Sequence, residues 1–311
     1  MRLLLSETAA RRFGDRIRAV APEVELVHEG PADIAWATTD LFDEGTARDF
    51  FVAVLKSEHL QWMQSPAAGL DAPFWPSLLE RGARLTSSHV QAISIAEFVL
   101  GSVLAHYQRP ERFREAQARR AWDRPERFRE LYGSRWLVIG MGAIGTAVAE
   151  RARGFGADVV GARRSPRGDG EIGLGDLPGV LPDADVVVLA MPATAEARGM
   201  VDAAFLARMK EGSVLVNVAR GSVVDEPALL AALDRGVPEL AILDVFETEP
   251  LPDDSPFWSH PRVWVTPHAS ASGWGSVDRG GELFLDNLRR WMAGEPLREE
   301  VTMADVMDQQ A

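Results

Sequence analysis

Three ionisable side chains, those of Arg220, Glu249 and His268, each come shortly after an apolar run that predicts a buried strand. An imidazole titrates near neutrality, so His268 can both donate and accept a proton. A carboxylate such as Glu249 can orient that imidazole and favour its protonated form, and Arg220 can hold an anionic group with its planar guanidinium. Together these residue types predict proton transfer beside a bound anion, although each taken singly also fits a capping histidine or an ordinary ion at a loop end.

A glycine-rich turn lies between the apolar run Trp136–Ile139 and a helix-compatible segment that reaches Ala152. In the spacing Gly-x-Gly-x-x-Gly, the first glycine permits a tight turn, the second lets the backbone approach a pyrophosphate, and the third lets helix and strand pack closely. The N–H groups at the start of the helix would face the phosphates. This pattern predicts a dinucleotide site at Gly140, Gly142, Ala143, Ile144 and Gly145.

The next apolar run, Val159–Gly161, ends in a basic turn. About 20 residues after the glycine turn, where an NAD site usually carries an acidic residue, the chain has Arg163. A guanidinium can bind the 2′-phosphate of NADP through two hydrogen bonds, whereas a carboxylate would repel it. With Arg164, Ser165 and Arg167 as further donors, the turn predicts a preference for NADP(H), with NAD(H) possible. The alternative is a solvated basic turn.

Apolar runs alternate with helix-length segments along most of the chain, which predicts an α/β fold. The runs of the second half follow the schedule of a doubly wound parallel sheet; they are Trp136–Ile139, Val159–Gly161, Val186–Ala190, Val214–Val218, Ala241–Leu243 and Val263–Val265. In the first half, Leu3–Leu5, Ile34–Ala37 and Phe51–Leu55 indicate a smaller βα domain with a parallel sheet. Residues 94–108 and 276–292 have helical spacing.

These elements predict two Rossmann-like domains with doubly wound parallel sheets. Residues 1–92, completed by residues 275–311, would form a discontinuous substrate domain, and residues 93–274 the dinucleotide-binding domain, with the active site in the cleft between them. A chain of 311 residues with 46% hydrophobic content is long enough for two cores. The segment Pro110–Glu130 contains the hexapeptide Pro-Glu-Arg-Phe-Arg-Glu twice and is typical of a solvated connecting helix.

Composition excludes several classes of function. A net charge of −13 disfavours nucleic acids and anionic membranes as partners, so a small anionic substrate needs a local cationic pocket. Without cysteine there is no thiolate chemistry and no disulfide framework, and the remaining five histidines lack the spacing of a metal site. The first apolar run is too short for a signal peptide, and we expect a cytoplasmic protein.

The order and spacing of these motifs resemble the D-isomer-specific 2-hydroxyacid dehydrogenase family. The resemblance covers essentially the whole chain, most strongly residues 135–296, and rests on the glycine turn, Asn217–Asp225, Asp244–Pro250 and Thr266–His268. Arg163 and residues 247–252 look most like glyoxylate/hydroxypyruvate reductases. The resemblance implies an oxidoreductase that moves a hydride between NADP(H) and a small D-2-hydroxy or 2-keto acid, mainly as a 2-ketoacid reductase.

The resemblance also implies roles for individual residues. Reduction of a 2-keto acid needs a hydride at the carbonyl carbon, a proton at its oxygen and a cation for its carboxylate. His268 would be the acid, Glu249 would hydrogen-bond its other ring nitrogen, and Arg220 would hold the carboxylate and the carbonyl oxygen. Asp244 would bind the carboxamide of the cofactor, with a strand-end cap as the alternative. Pro192, Thr194 and Ala219 are further candidate cofactor contacts, with a structural turn as the alternative.

Substrate contacts from the first domain are predicted at Ala68 and Gly69, in a loop that matches the family's carboxylate-binding loop and that equally fits a tight turn. Trp274, which lies between two glycines, either lines the substrate pocket or anchors an interdomain or subunit contact. Ser88–Glu97 lacks the polar residues that many family members have there, which leaves nicotinamide contacts from this domain open.

Two other functions fit the same motifs. The chain could be an NAD-linked member of the family that acts on another 2-hydroxy acid, or a dinucleotide-sensing interaction protein that resembles the C-terminal-binding corepressors. Family members are commonly dimers, and the resemblance therefore implies a homodimer, for which Pro110–Leu131 offers an available segment.

Overall fold

The computed structural model describes residues 1–67, 69, 72–124 and 127–310. Its contacts divide the chain into two compact units. Unit 1 comprises Met1–Gln91 and Gly273–Ala311, and unit 2 comprises Ala92–Ser272. In both units, parallel strands alternate with helices, so the predicted α/β fold class is confirmed.

Unit 1 contains a six-stranded sheet with the order β13-β5-β4-β3-β1-β2. Its strands are β1 Arg2–Leu4, β2 Glu25–Val27, β3 Ile34–Trp36, β4 Trp62–Gln64, β5 Arg84–Thr86 and β13 Glu300–Val301. All pairs are parallel except β13 with β5, which is antiparallel. The predicted parallel sheet therefore has one antiparallel edge strand. Its helices are α1 Glu7–Val20, α2 Asp40–Asp43, α3 Ala47–Lys56, α4 Trp75–Glu80, α11 Gly275–Ala293 and α12 Met303–Gln310.

Aromatic stacking attaches the late helix α11 to the sheet of unit 1. Phe284 stacks on Trp36 with ring centroids 4.3 Å apart, and it also stacks on Trp62 at 5.2 Å. The fully buried Asn287, one turn further along α11, donates to the side chain of Gln64 at 3.2 Å. Residues separated by more than 200 positions therefore share one core, which explains why unit 1 needs both ends of the chain.

Unit 2 contains a seven-stranded, fully parallel sheet with the order β12-β11-β10-β9-β6-β7-β8. Its strands are β6 Arg135–Ile139, β7 Asp158–Ala162, β8 Glu171–Ile172, β9 Val186–Leu189, β10 Val214–Asn217, β11 Leu240–Leu243 and β12 Val263–Val265. Its helices are α5 Ala92–Gln108, α6 Pro110–Ala118, α7 Ala143–Gly154, α8 Leu177–Val180, α9 Ala203–Leu206 and α10 Glu226–Asp234. The strand order reverses between β6 and β9, and ligands of doubly wound sheets bind at such a switch point.

The sequence pattern assigned two segments differently from the structure. The run Phe51–Leu55 lies in α3 and not in a strand, because Phe50 and Val54 are buried one helical turn apart on the same face. The predicted connecting helix begins at Pro110 but ends at Ala118, since Arg120 adopts a left-handed backbone conformation with φ of 54°. Within the described part of the chain, no helix is both long and apolar enough to span a membrane.

Candidate active site

Three adjacent strands of unit 2 bring the predicted ionisable residues to one edge of the sheet. β10 leads to Arg220, β11 leads to the loop that contains Glu249, and β12 leads to His268. Because β10, β11 and β12 are neighbours and parallel, their carboxyl ends meet at the same edge. The fold therefore gathers residues that are separated by nearly 50 positions in the chain.

Glu249 and His268 form a direct pair. Nδ1 of His268 lies 2.8 Å from Oε2 of Glu249, and the two side chains are 48% and 37% exposed. The other carboxylate oxygen, Oε1, accepts a hydrogen bond from the backbone N–H of Phe246 at 3.0 Å. The carboxylate is thus held on the protein side and fixes one ring nitrogen, which leaves Nε2 as the nitrogen available for proton exchange.

The backbone under His268 is also constrained. His268 has a φ of 51°, a left-handed conformation that is uncommon for residues other than glycine. Its N–H donates to the carbonyl oxygen of Asp244 at 2.9 Å. The buried carboxylate of Asp244 accepts from Thr266 Oγ1 at 2.6 Å and from the backbone N–H groups of Ala269 and Ser270 at 2.8 and 3.1 Å. Asp244 therefore holds the turn that carries the imidazole.

Asn217 and Gly221, for which the sequence predicted no role, hold the turn that carries Arg220. The buried side chain of Asn217 donates to the carbonyl oxygen of Arg220 at 3.1 Å and accepts from Ala219 N–H at 3.0 Å. A Cβ on Gly221 would lie 1.8 Å from the carbonyl carbon of Phe246, so only glycine permits this approach of the two loops. The Arg220 turn is therefore packed against the same loop that carries Glu249.

A cavity of about 390 Å³ opens at the switch point between β6 and β9. It is lined by Gly140, Met141, Gly142, Arg163, Arg164, Ser165, Arg167, Leu174, Ala190, Met191, Pro192, Thr194, Glu196, Ala197 and Met200. The predicted residues Ala143, Ile144 and Gly145 form the first turn of α7, immediately after this lining. Gly142 is the N-cap of that helix and supplies no side-chain cap, so the N–H groups at this end are open to an anion.

The three glycines of the turn fit a dinucleotide in different ways. Gly140 has a φ of 100°, and a Cβ there would lie 2.4 Å from the backbone nitrogen of Met191. A Cβ on Gly145 would lie 2.0 Å from the carbonyl oxygen of Gly140, whereas a Cβ on Gly142 would meet no atom within 4 Å. Gly140 and Gly145 are therefore required for packing, and Gly142 leaves open space in the cavity for a ligand to approach the backbone.

The basic turn after β7 lies at the same cavity but is accompanied by two acids. Arg163 faces Glu171 with 3.8 Å between Nη1 and Oε1, and Oε2 of Glu171 accepts from the backbone N–H of Arg167 at 2.7 Å. Arg164 pairs with Glu196 with 3.3 Å between Nε and Oε2. The cavity can therefore offer guanidinium groups to a phosphate, with part of their charge already balanced.

The remaining predicted residues lie as follows. Pro192 and Thr194 line the cavity, while Ala219 is buried and lies outside that lining. Gly69 is partly buried in unit 1, and Ala68 falls outside the described residues. Trp274 belongs to unit 1 and is 97% exposed.

Sequence reasoning missed four residues that shape these sites, namely Asn217, Gly221, Glu196 and Thr266. An asparagine that ends an otherwise apolar strand, as Asn217 does, is a recognisable signal for a side chain that bonds the following turn. Gly221 gave a weaker signal, because a close backbone approach depends on a distant loop. Glu196 gave none, since its ion pair with Arg164 joins loops that follow different strands.

Comparison with known proteins agrees with this geometry. Residues 100–270 match the domain described as "D-isomer specific 2-hydroxyacid dehydrogenase, NAD binding domain". The chain belongs to the D-isomer-specific 2-hydroxyacid dehydrogenase family. The predicted family and enzyme class are therefore confirmed, because members of this family are oxidoreductases that act on CH–OH donors with a nicotinamide dinucleotide.

Two relatives in sequence bear different names. A glyoxylate reductase of Korarchaeum cryptofilum is 35% identical over 239 residues, which cover 74% of this chain and 72% of the relative. A D-3-phosphoglycerate dehydrogenase of Methanocaldococcus jannaschii is 31% identical over 258 residues, which cover 81% of this chain. The match includes only 49% of that protein, so the chain spans about half the length of this relative.

Solved structures share the fold over nearly the entire chain. A family protein from Aeromonas salmonicida superposes with a TM-score of 0.83 and 31% identity, covering 97% of this chain and 98% of that one. A family member from Xanthobacter autotrophicus Py2, solved in complex with NADPH and MES, has a TM-score of 0.75 and 30% identity, with 98% of each chain covered. The family assignment therefore extends beyond the matched cofactor domain to both units.

Proposed function

We propose that this dehydrogenase works mainly as an NADP(H)-linked reductase of small 2-keto acids such as glyoxylate and hydroxypyruvate, producing the D-2-hydroxy acid. The observation that carries the proposal is the pairing of His268 with Glu249 at 2.8 Å. This pair lies at the same strand edge as Arg220, in the unit that also holds the dinucleotide cavity. A dinucleotide-sensing protein has no need of such an acid–base pair.

The cofactor preference is inferred from the charge of the cavity. Arg163, Arg164 and Arg167 all line it, together with the hydroxyl of Ser165. A 2′-phosphate carries up to two negative charges, and guanidinium groups bind phosphate through paired, charge-assisted hydrogen bonds. In a chain with a net charge of −13, three arginines at one cavity favour a ligand more anionic than NAD(H). The NADPH bound to the Xanthobacter relative supports the same preference.

The proton and the substrate carboxylate are handled by the chain's own residues. When bound, the cofactor supplies the hydride for the carbonyl carbon. His268 donates the proton to the carbonyl oxygen through Nε2, and Glu249 stabilises and orients the imidazolium through Nδ1. Arg220 binds the carboxylate and polarises the carbonyl with its two-pronged guanidinium.

The direct test compares initial rates with NADPH and with NADH on glyoxylate, hydroxypyruvate, pyruvate and a bulky aromatic 2-keto acid. We expect NADPH to be the better cofactor, and glyoxylate and hydroxypyruvate to be the better substrates. Turnover that favours NADH would replace the proposal by an NAD-linked dehydrogenase, and a preference for the aromatic acid would replace the proposed substrate class. Tight cofactor binding without turnover of any keto acid would favour a sensing protein.

A His268→Gln variant isolates the acid–base step. Removal of a general acid typically costs about 10²–10⁴-fold in rate, and we expect kcat to fall within that range. The dissociation constant of NADPH should stay unchanged, because His268 does not line the dinucleotide cavity. His59→Gln, the same change at an exposed histidine, is the control and should leave kcat unaltered.

A further inference from the structure

The ion pair between Arg164 and Glu196 connects two loops on opposite sides of β6. Arg164 lies in the loop that follows β7, and Glu196 in the loop that follows β9. In the sheet, β7 and β9 are the two neighbours of β6, whose carboxyl end carries the glycine turn. Both residues of the pair line the dinucleotide cavity. The pair therefore links two loops of the cavity that follow the strands on either side of the glycine turn's own strand.

The two arginines that follow β7 have acidic partners in different surroundings. Arg163 and Glu171 are largely buried, with side chains 22% and 18% exposed, and Glu171 does not line the cavity. Arg164 and Glu196 are 55% and 67% exposed. Among the described residues, Glu196 is the single acidic side chain that lines the cavity. A phosphate that binds Arg164 must therefore approach the carboxylate of Glu196, whereas Glu171 lies outside the lining of the cavity.

We infer that Glu196 is a specificity-determining residue that weakens the binding of NADP(H) more than that of NAD(H). The inference rests on the proposed function, because it assigns the cofactor's extra phosphate to the arginines of this cavity. To bind the phosphate, Arg164 must exchange a carboxylate partner for a phosphate partner. Glu196 then remains beside the new anion without its former cation, and the two negative charges repel each other.

This repulsion depends on the charge of the ligand. NAD(H) presents ribose hydroxyl groups where NADP(H) presents a phosphate with up to two negative charges, so the unpaired carboxylate affects NADP(H) more strongly. Glu196 thereby limits the discrimination that the arginines provide. The same exchange of partners would allow the bound cofactor to leave, because Arg164 finds an alternative anion within the cavity.

A Glu196→Gln variant tests the inference by binding alone. We would titrate NADPH and NADH separately, following the fluorescence of the nicotinamide, at about 0.01 M and about 1 M salt. At low salt, we expect Kd for NADPH to fall roughly five-fold and Kd for NADH to change less than about two-fold. At about 1 M salt the Debye length shrinks to about 3 Å, and the difference between the variant and the parent should largely disappear.

Glu211→Gln is the matched control, because it removes the same charge from an exposed position of unit 2 outside the cavity. It should alter neither dissociation constant.

A second series places Glu196→Gln in an Arg164→Met background, where the carboxylate of Glu196 has lost the guanidinium of Arg164 and still repels the phosphate. The variant should again favour NADPH there, which separates repulsion of the ligand from loss of the ion pair.

Two results would overturn the inference. Equal changes of Kd for NADPH and NADH would show that Glu196 does not discriminate between them, and weaker NADH binding would show that its carboxylate accepts a bond from the ribose. The outcome is separate from that of the proposed function. If the parent protein binds NADH as tightly as NADPH, the proposed preference fails, yet a selective gain for NADPH in Glu196→Gln would still support the role of Glu196.

Discussion

The backbone N–H of His268 donates to the carbonyl oxygen of Asp244 at 2.9 Å, and the carboxylate of Asp244 binds the residues on either side of that histidine. Asp244 immediately follows β11 and is 1% exposed. A buried carboxylate that accepts hydrogen bonds from Thr266, Ala269 and Ser270 defines the turn in which His268 adopts its left-handed conformation. The position of the imidazole, which follows β12, therefore depends on the residue that follows the neighbouring strand β11.

Asp244→Asn should uncouple this turn from the strand. The amide keeps one oxygen but presents an NH₂ group to backbone N–H donors, and an unsatisfied buried donor costs about 1–3 kcal/mol. Displacement of the imidazole by about 1 Å can cost roughly 10²-fold in rate, and we expect kcat to fall by that order. Urea unfolding and steady-state rates measure the two effects. An unchanged kcat at reduced stability would mean that Asp244 does not position His268.

The pairing of Glu249 with His268 was predictable because the two residues lie in local motifs that follow strongly apolar strands. Parallel neighbouring strands then leave little freedom, and Glu249 and His268 meet at 2.8 Å. The support around the pair was not predictable to the same degree. For Asp244 the sequence predicted a cofactor contact or a strand-end cap, and its bonds to Thr266 and Ser270 were not predictable because they depend on the register between β11 and β12.

The strands themselves were also predictable only where the local sequence is strongly apolar. Six of the seven strands of unit 2 consist largely of apolar residues, so their apolar runs located them within a residue or two. The short strand Glu171–Ile172 has no such run and was not predicted. The run Phe51–Leu55 was misleading, because four or five apolar residues in succession fit a half-buried helix as well as a strand.

Gly221→Ala should damage the Arg220 turn. An added Cβ would lie 1.8 Å from the carbonyl carbon and 2.1 Å from the carbonyl oxygen of Phe246, which are backbone atoms that cannot move alone. Overpacking of this kind typically costs about 1–3 kcal/mol, so we expect a lower free energy of unfolding and a raised KM for the keto acid. Gly179→Ala, at a site where a Cβ meets no atom within 4 Å, is the control and should preserve both.

Glu226, which contacts the loop that carries Glu249, should make the free energy of unfolding depend on pH. Its Oε1 accepts from the backbone N–H of Glu247 at 2.8 Å. Burial raises the pKa of Glu226 above its usual 4.5 and the charge of Glu247 acts in the same direction, against the lowering by that hydrogen bond. A raised pKa in the folded protein means that protonation stabilises it. This contribution is complete below the pKa of the unfolded chain and is lost as the pH rises through the folded pKa.

Glu226→Gln keeps the acceptor oxygen and removes the charge. We therefore expect the variant to be more stable than the parent near pH 7.5, where the parent carries this charge. Below about pH 4, where Glu226 itself is protonated, the two proteins should unfold alike. Urea midpoints at several pH values measure the difference. A Gln variant that is less stable at neutral pH would contradict the assignment of burial as the dominant cause.

Two glycines of the dinucleotide turn should respond differently to alanine. At Gly145 the new Cβ would lie 2.0 Å from the carbonyl oxygen of Gly140, so the free energy of unfolding should fall without any cofactor present. At Gly142 the Cβ meets no atom within 4 Å and the backbone φ of −82° suits alanine, so stability should be preserved. The methyl group would instead occupy the space through which a pyrophosphate approaches the helix N-terminus, and Kd for NADPH should rise at least about tenfold. Thermal unfolding combined with cofactor titration separates the two effects; a Gly142→Ala protein that binds NADPH normally would place the pyrophosphate elsewhere.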